Sequence, residues 1–184
     1  MLIVGGGIVG AGIARDAAMR GLSVALVEQG DFGSGTSSKT SKLIHGGLRY
    51  LEHGHLRLVF ESLRERGVLR AIAPGLVHPL ALLLPVYAGD RRPVWKIRAG
   101  LWLYDLLAWG RNVRPHDLLS ARRAVAREPG LRLDGLRAAG LYADCQMDDA
   151  RVCLANILQA VSLGAACANY VRLHSLLTAG HRVC

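Results

Sequence analysis

Residues Leu2 to Glu28 read LIVGGGIVGAGIARDAAMRGLSVALVE, and this stretch decides the fold. Leu2, Ile3 and Val4 are apolar and partly β-branched, which predicts a short buried strand. The chain then turns through Gly5, Gly6 and Gly7 into a helix over residues 8–20, which Gly21 ends as a C-terminal cap. Ala11, Ile13, Ala14, Ala17 and Ala18 give that helix a small apolar face that can lie close to a sheet. A second strand, residues 22–27, ends in Glu28. In a dinucleotide-binding βαβ unit Gly5 permits the tight turn, Gly7 lets the backbone approach a pyrophosphate and Gly10 lets helix and strand come together. The free N–H groups of the helix start face the phosphates, and an acid at the tip of the second strand takes the ribose hydroxyls. The carboxylate of Glu28 would repel a 2′-phosphate, so FAD or NAD suits the site better than NADP.

The next informative stretch is Ser41 to Glu52, SKLIHGGLRYLE. It packs an imidazole (His45), two glycines (Gly46, Gly47), a guanidinium (Arg49) and a phenol (Tyr50) into a few residues. A neutral imidazole suits proton removal from an alcohol. Two residues without side chains would let the backbone run against a flat cofactor. Arg49 offers a planar fork matched to a phosphate, and Tyr50 a hydroxyl for the substrate. Ser41 and Lys42 would lie nearer the cofactor as donors, and Thr36, Ser37 and Ser38 stand beside the fingerprint where a pyrophosphate would lie. Plainer readings stay open. His45 can be a buried imidazole on a backbone carbonyl, Arg49 can pair with Glu52 at i, i+3, Tyr50 can belong to the core, and the hydroxyl residues can form a solvated loop and a cap.

Three segments taken together, VGGGIVGAGIARDAAMRG, GTSSKTSKLIHGGLRYLE and YADCQMDDAR, resemble FAD-dependent glycerol-3-phosphate dehydrogenase, within the wider D-amino-acid-oxidase-like flavoprotein group. The resemblance runs in order along nearly the whole chain. It implies a Rossmann-like α/β FAD-binding domain, residues 1–75 and 147–184, with part of an α+β substrate domain inserted at residues 76–146. It implies oxidation of sn-glycerol 3-phosphate to dihydroxyacetone phosphate, with electrons passing through FAD to a quinone. His45, Arg49 and Tyr50 would serve the substrate. Gly5, Gly7, Gly10, Glu28, Thr36, Ser37, Ser38, Ser41, Lys42, His45, Gly46 and Gly47 would serve the cofactor. In the family the chain continues through a β-meander, further substrate-domain strands and a C-terminal helical domain, so the resemblance also implies an incomplete N-terminal portion with an exposed sheet edge. A flavin oxidase of an amine or hydroxy acid, and a non-catalytic fragment, are the alternative readings.

Composition is that of a globular chain: 184 residues, 51% hydrophobic and 20% charged. A strand at the start in place of a charged, apolar leader suggests a cytoplasmic protein. Cys145, Cys153, Cys167 and Cys184 lack metal-ligand spacing and read as reduced thiols, so no metal site is expected. The net charge of +9 comes from arginine, since Lys39, Lys42 and Lys96 are the only lysines. No stacking motif or recognition helix accompanies the charge, which argues against nucleic acid. Trp95, Lys96, Arg98, Trp102, Tyr104 and Trp109, with Leu101, Leu103, Leu106 and Leu107 between them, compose a basic, aromatic helix suited either to a membrane interface or to a core. A homodimer and a peripheral place on the cytoplasmic face of an inner membrane are compatible with these features.

Further along, helical spacing runs over residues 56–72, residues 76–87 read as a buried strand, and Ser120 caps a short arginine-rich helix that stops before Pro129. Residues 140–146 read as a strand, after which Asp148 and Asp149 cap a helix running to about residue 163. A strand near residues 165–170 returns to the first sheet, and a turn at Ala179 and Gly180 leads to a strand at residues 181–184.

Overall fold

The structure is a computed structural model that describes residues 1–179 and 182–183. In chain order its elements are β1 (Leu2–Val4), α1 (Ile8–Met19), β2 (Ala25–Val27), β3 (Leu43–Ile44), α2 (Leu56–Ile72), β4 (Val77–Tyr87), α3 (Val94–Ala108), β5 (Asp117–Ser120), α4 (Ala121–Arg127), β6 (Leu136–Met147), α5 (Asp149–Ser162), β7 (Ala166–Ala168), β8 (Thr178–Ala179) and β9 (Arg182–Val183). Short 3-10 turns occupy Thr36–Ser38 and Leu48–His53. They divide between two compact units, one of residues 1–42 and 148–184, the other of residues 43–147.

The first unit is built on a parallel sheet in the order β1, β2, β7, with Ile3 opposite Leu26 and Leu26 opposite Cys167. Both parallel neighbours are reached by a helical crossover, as parallel pairing requires. Helix α1 forms because alanine loses little on entering a helix. Ala11, Ala14, Ala17 and Ala18, spaced three and four apart, form its buried stripe. Ile13 falls between these positions and is exposed, contrary to the apolar face read from sequence. The small stripe lets α1 and α5 pack with Ile3, Leu26, Cys153, Ile157 and Ala160 in one core. Asp148 caps α5, its carboxylate accepting from the amides of Ala150 and Arg151 at 3.1 and 3.3 Å. Strands β8 and β9 pair antiparallel. Gly180, His181 and Cys184 lie outside the described residues, and with them part of the turn and strand expected there.

The second unit is an antiparallel sheet in which β6 pairs β3 and β4, and β5 pairs β6. The β4 strand departs from its sequence reading. Val77 and Val86 are buried, but His78, Pro79 and Ala81 are exposed, so the strand is covered at particular positions and not along its whole length. Val59 and Leu63 of α2 pack with Tyr104 and Ala108 of α3. Since β3 lies in register on β6 and α2 packs against α3, the compact units divide at residues 42/43, where the sequence reading divides them at residue 75. Helix α3 has two faces. Ile97, Leu101, Tyr104 and Ala108 are buried, whereas Trp95, Trp102 and Trp109 are 71%, 65% and 73% exposed. Of the two readings left open for this helix, Tyr104 follows the core one and the three tryptophans lie on its exposed face. Among the described residues no helix is long and apolar enough to cross a membrane.

Candidate functional site

At the end of β1 the chain turns on Gly5, whose φ of +107° is open to glycine and strained for other residues. Its amide donates to the Val27 carbonyl at 2.9 Å, which ties the turn to the end of β2. Gly7 is the N-cap of α1 and offers no side chain to the helix start. Gly10 allows the closest approach, since a Cβ there would lie 1.9 Å from the Gly5 carbonyl oxygen. Gly6 is similarly confined, with a Cβ 2.7 Å from the Phe32 ring and 2.9 Å from the Glu28 Cβ. The glycine run is thus a fitted turn, made by the close approach of β1, α1 and the loop after β2.

Glu28 stands at the tip of β2. Its carboxylate accepts from the Gly6 amide at 2.7 Å and from the Gly30 amide at 2.8 Å. These bonds, Gly30 first and Gly6 next, hold the carboxyl below the usual glutamate range. A carboxylate has about four lone-pair positions, so two remain for hydroxyl donors such as those of a ribose. Ser37, buried in the 3-10 turn Thr36–Ser38, accepts from the Ile8 amide at 3.0 Å. That places a hydroxyl at the positive end of α1, beside the amides on which an anion would rest. Ser38 instead turns its hydroxyl back onto the carbonyls of Ser34 and Gly35, both at 2.9 Å, and Thr36 and Ser41 are exposed. Lys42, at a φ of +61°, pairs with Asp148 at 3.2 Å, and Thr40 donates to Asp149 at 2.6 Å. The acidic pair is occupied by these contacts. Turn, acid and capped helix fit the adenosine and pyrophosphate of a dinucleotide.

The HGGLRY segment lies in the second unit. Ile44 pairs with Cys145, and the chain passes through His45 into two buried glycines. The Gly46 amide donates to the Tyr104 hydroxyl at 2.8 Å and, at 3.4 Å, to the Asp144 carboxylate. Tyr104 in turn donates to the same carboxylate oxygen at 2.7 Å. Arg66 pairs with Asp144 from the other side, and both are about 1% exposed. Burial first, and the neighbouring carboxylate next, push the Tyr104 phenol well up, so it stays protonated and able to donate. No side chain fits at Gly46, where a Cβ would meet Leu63 at 2.3 Å and the Tyr104 oxygen at 2.5 Å. Gly47 turns at a φ of +71° into the second 3-10 turn.

His45, Arg49 and Tyr50 flank the two buried glycines and are themselves exposed on the surface of the unit. Arg49 does not pair with Glu52, the plainer reading of its spacing. Glu52 takes a two-pronged contact from Arg92, at 2.6 Å on each oxygen, with Lys96 at 3.4 Å. Arg49 instead lines a cavity of about 410 Å³ with Leu48, Leu51, Glu52, Arg92, Lys96 and Tyr142 among its neighbours. Tyr50 meets His55 edge-on, with ring centroids 6.5 Å apart.

Sequence reasoning passed over Arg66, Tyr104 and Asp144. Their signals were present as spacing: Val59, Leu63 and Arg66 fall on one face of α2, and Leu101, Tyr104 and Ala108 on one face of α3. Asp144 interrupts the largely buried stretch of β6 over residues 138–145, which places a charge where the sheet is buried.

Fingerprint geometry and the HGGLRY segment coincide with a match, over residues 1–183, to the family described as DAO, FAD dependent oxidoreductase. The chain belongs to this family. Among its relatives, the glycerol-3-phosphate dehydrogenase of Synechocystis sp. is 46% identical over 177 residues, 96% of this chain and 32% of that protein. The α-glycerophosphate oxidase of Streptococcus pyogenes is 41% identical over 180 residues, 96% of this chain and 29% of that one. The structure of the glycerol-3-phosphate dehydrogenase from Bacillus halodurans, complexed with FAD, superimposes with a TM-score of 0.72 at 32% identity. It is matched by 99% of this chain, which covers 28% of that chain. This member of the FAD dependent oxidoreductase family thus spans about a third or less of the length of these relatives.

Proposed function

We propose that this chain carries the FAD-binding turn and one substrate-facing segment for oxidation of sn-glycerol 3-phosphate to dihydroxyacetone phosphate. The observation that carries the reading is the 46% identity to a glycerol-3-phosphate dehydrogenase along 96% of the chain. The Glu28 carboxylate and the Ser37-capped start of α1 supply the chemistry a dinucleotide requires.

In this reading Glu28 holds the adenosine ribose through its remaining acceptor positions, and the α1 amides with Ser37 hold the pyrophosphate. Gly5, Gly7 and Gly10 keep the turn clear of side chains. Thr36, Ser38, Ser41, Lys42, Gly46 and Gly47 complete the cofactor set read from sequence. FAD, when bound, supplies the acceptor for the hydride that leaves the carbinol carbon. His45 takes the hydroxyl proton on a ring nitrogen, which leaves the C=O of the ketone. Arg49 directs its guanidinium fork at the phosphate and Tyr50 hydrogen-bonds the substrate, so the two orient the carbinol towards His45. The two electrons then pass to a quinone. The exposed Trp95, Trp102 and Trp109 beside basic side chains support a peripheral position at a membrane surface. Residues 1–42 and 148–184 serve as the FAD-binding part and residues 43–147 as part of the substrate domain.

The test is to purify the protein, reconstitute it with FAD and follow the flavin absorbance as sn-glycerol 3-phosphate is added under anaerobic conditions. Bound flavin that bleaches with glycerol 3-phosphate, and is re-oxidised by a soluble quinone, is the expected result. Bound flavin that bleaches with an amine or hydroxy acid and is untouched by glycerol 3-phosphate would overturn the substrate assignment. Failure to take up FAD under any condition would overturn the cofactor assignment.

A further inference from the structure

We propose that Tyr104 and Asp144 are positioning residues for His45, acting through the peptide bond between His45 and Gly46; the inference rests on the assignment of His45 as the proton acceptor. The amide that donates to the Tyr104 hydroxyl at 2.8 Å, and to Asp144 at 3.4 Å, belongs to the same planar unit as the His45 carbonyl. Holding that N–H fixes the plane, and with it the backbone torsion on the carbonyl side of His45. The other side of His45 is fixed by the ladder, since Ile44 is in register with Cys145, the residue after Asp144. His45 is exposed while the peptide that follows it is buried. The imidazole is therefore an exposed group on a clamped backbone.

The composition of the clamp argues for a geometric role over a stabilising one. A buried ion pair such as Arg66–Asp144 adds little over well-packed apolar side chains, because desolvation offsets the attraction. Its usual return is a single defined arrangement, and here three donors converge on one carboxylate oxygen: Arg66, the Tyr104 hydroxyl and the Gly46 amide. Arg66 is itself tied outward, donating to Asn112 at 2.9 Å, and Asn112 bonds Asp105, which accepts from His116 at 2.7 Å. The carboxylate cannot turn without breaking contacts on two helices. Gly46 has no room for a side chain, so its peptide has one seat.

The experiment uses the 184-residue chain, with the Gly46 amide followed by hydrogen exchange and the His45 ring by NMR in histidine-labelled protein. Tyr104→Phe keeps the ring and removes the hydroxyl; Asp144→Asn is the second variant; Leu101→Val loosens the same core without touching the peptide. Expected is at least a 10-fold faster exchange of the Gly46 amide and a displaced His45 ring resonance in Tyr104→Phe, with amides of the β4–β6 ladder unchanged. Leu101→Val should leave both His45 and Gly46 as they are. An unmoved His45 resonance in Tyr104→Phe and in Asp144→Asn overturns the proposal, as does an equal displacement in Leu101→Val. Because these readouts need neither flavin nor substrate, a chain that never bleaches with glycerol 3-phosphate sinks the functional reading while this result still reports on the clamp.

Discussion

The Ser37 hydroxyl accepts a hydrogen bond from the Ile8 amide at 3.0 Å, so a loop residue 29 positions away caps the helix that opens the nucleotide turn. Ser37→Ala removes this acceptor and leaves a helix-start amide without a partner. A cost of about 1 kcal/mol is expected, the ordinary worth of an N-terminal cap, read as a lower urea midpoint with an unchanged m-value. FAD affinity should fall as well.

Gly10→Ala places a methyl group 1.9 Å from the Gly5 carbonyl oxygen, a backbone atom that no rotamer change can move aside. The strand and helix must separate, at a cost at the upper end of the roughly 1–3 kcal/mol typical of overpacking. Thermal melting and flavin content of the purified protein should both drop. Gly12→Ala, inside the same helix where nothing lies within 4 Å, is the control: flavin content should be unchanged and the melting temperature should rise slightly, as expected when alanine replaces a helix-interior glycine.

Removing one partner of the buried pair should be far more damaging than removing both. Arg66→Met leaves the Asp144 carboxylate uncompensated and should cost about 3–5 kcal/mol in urea unfolding. Adding Asp144→Leu to the same chain should recover at least half of that loss.

Glu52 makes stability depend on pH. Arg92 chiefly, with Lys96, holds its carboxyl at about 2, against 4.5 for a free glutamate. A carboxyl whose value is depressed on folding stabilises fully above its unfolded value and stops doing so as pH falls through its folded one. The contribution is therefore complete above 4.5 and lost between 4.5 and about 2. Glu52→Gln should flatten the fall in urea midpoint across that window and leave the slope near neutral pH unchanged.

In a full-length relative carrying these segments, and on the proposed function, His45→Asn should depress glycerol 3-phosphate turnover by about 100-fold or more, the usual scale of a lost general base, with little change in KM. Arg49→Ala should raise KM and spare flavin content; flavin loss in its place would assign Arg49 to the cofactor.

The first unit was legible in sequence because its determinants are local. Gly5, Gly7, Gly10, Gly21 and Glu28 all fall within one strand–helix–strand stretch of 28 residues, and the alanine stripe of α1 reads directly as a buried face. The clamp on Gly46 was not, since its parts come from α2, α3 and β6 and share no sequence neighbourhood. Composition left helix α3 open between a membrane interface and a core, and the structure divides it between the two kinds of face: Tyr104 is buried, and Trp95, Trp102 and Trp109 are exposed. The boundary of the compact units rests on contacts of the same distant kind, the pairing of β3 with β6 and the packing of α2 on α3.

The Arg66–Asp144 pair also sets a schedule. Its members are 78 positions apart, so a chain emerging from the ribosome at about 5–20 residues per second carries Arg66 for roughly 4–16 s before its counter-charge exists. During that interval α2 cannot bury its inner face without stranding a guanidinium. The second unit should therefore close late and all at once, when β6 arrives, with the HGGLRY segment among the last parts to take its final form.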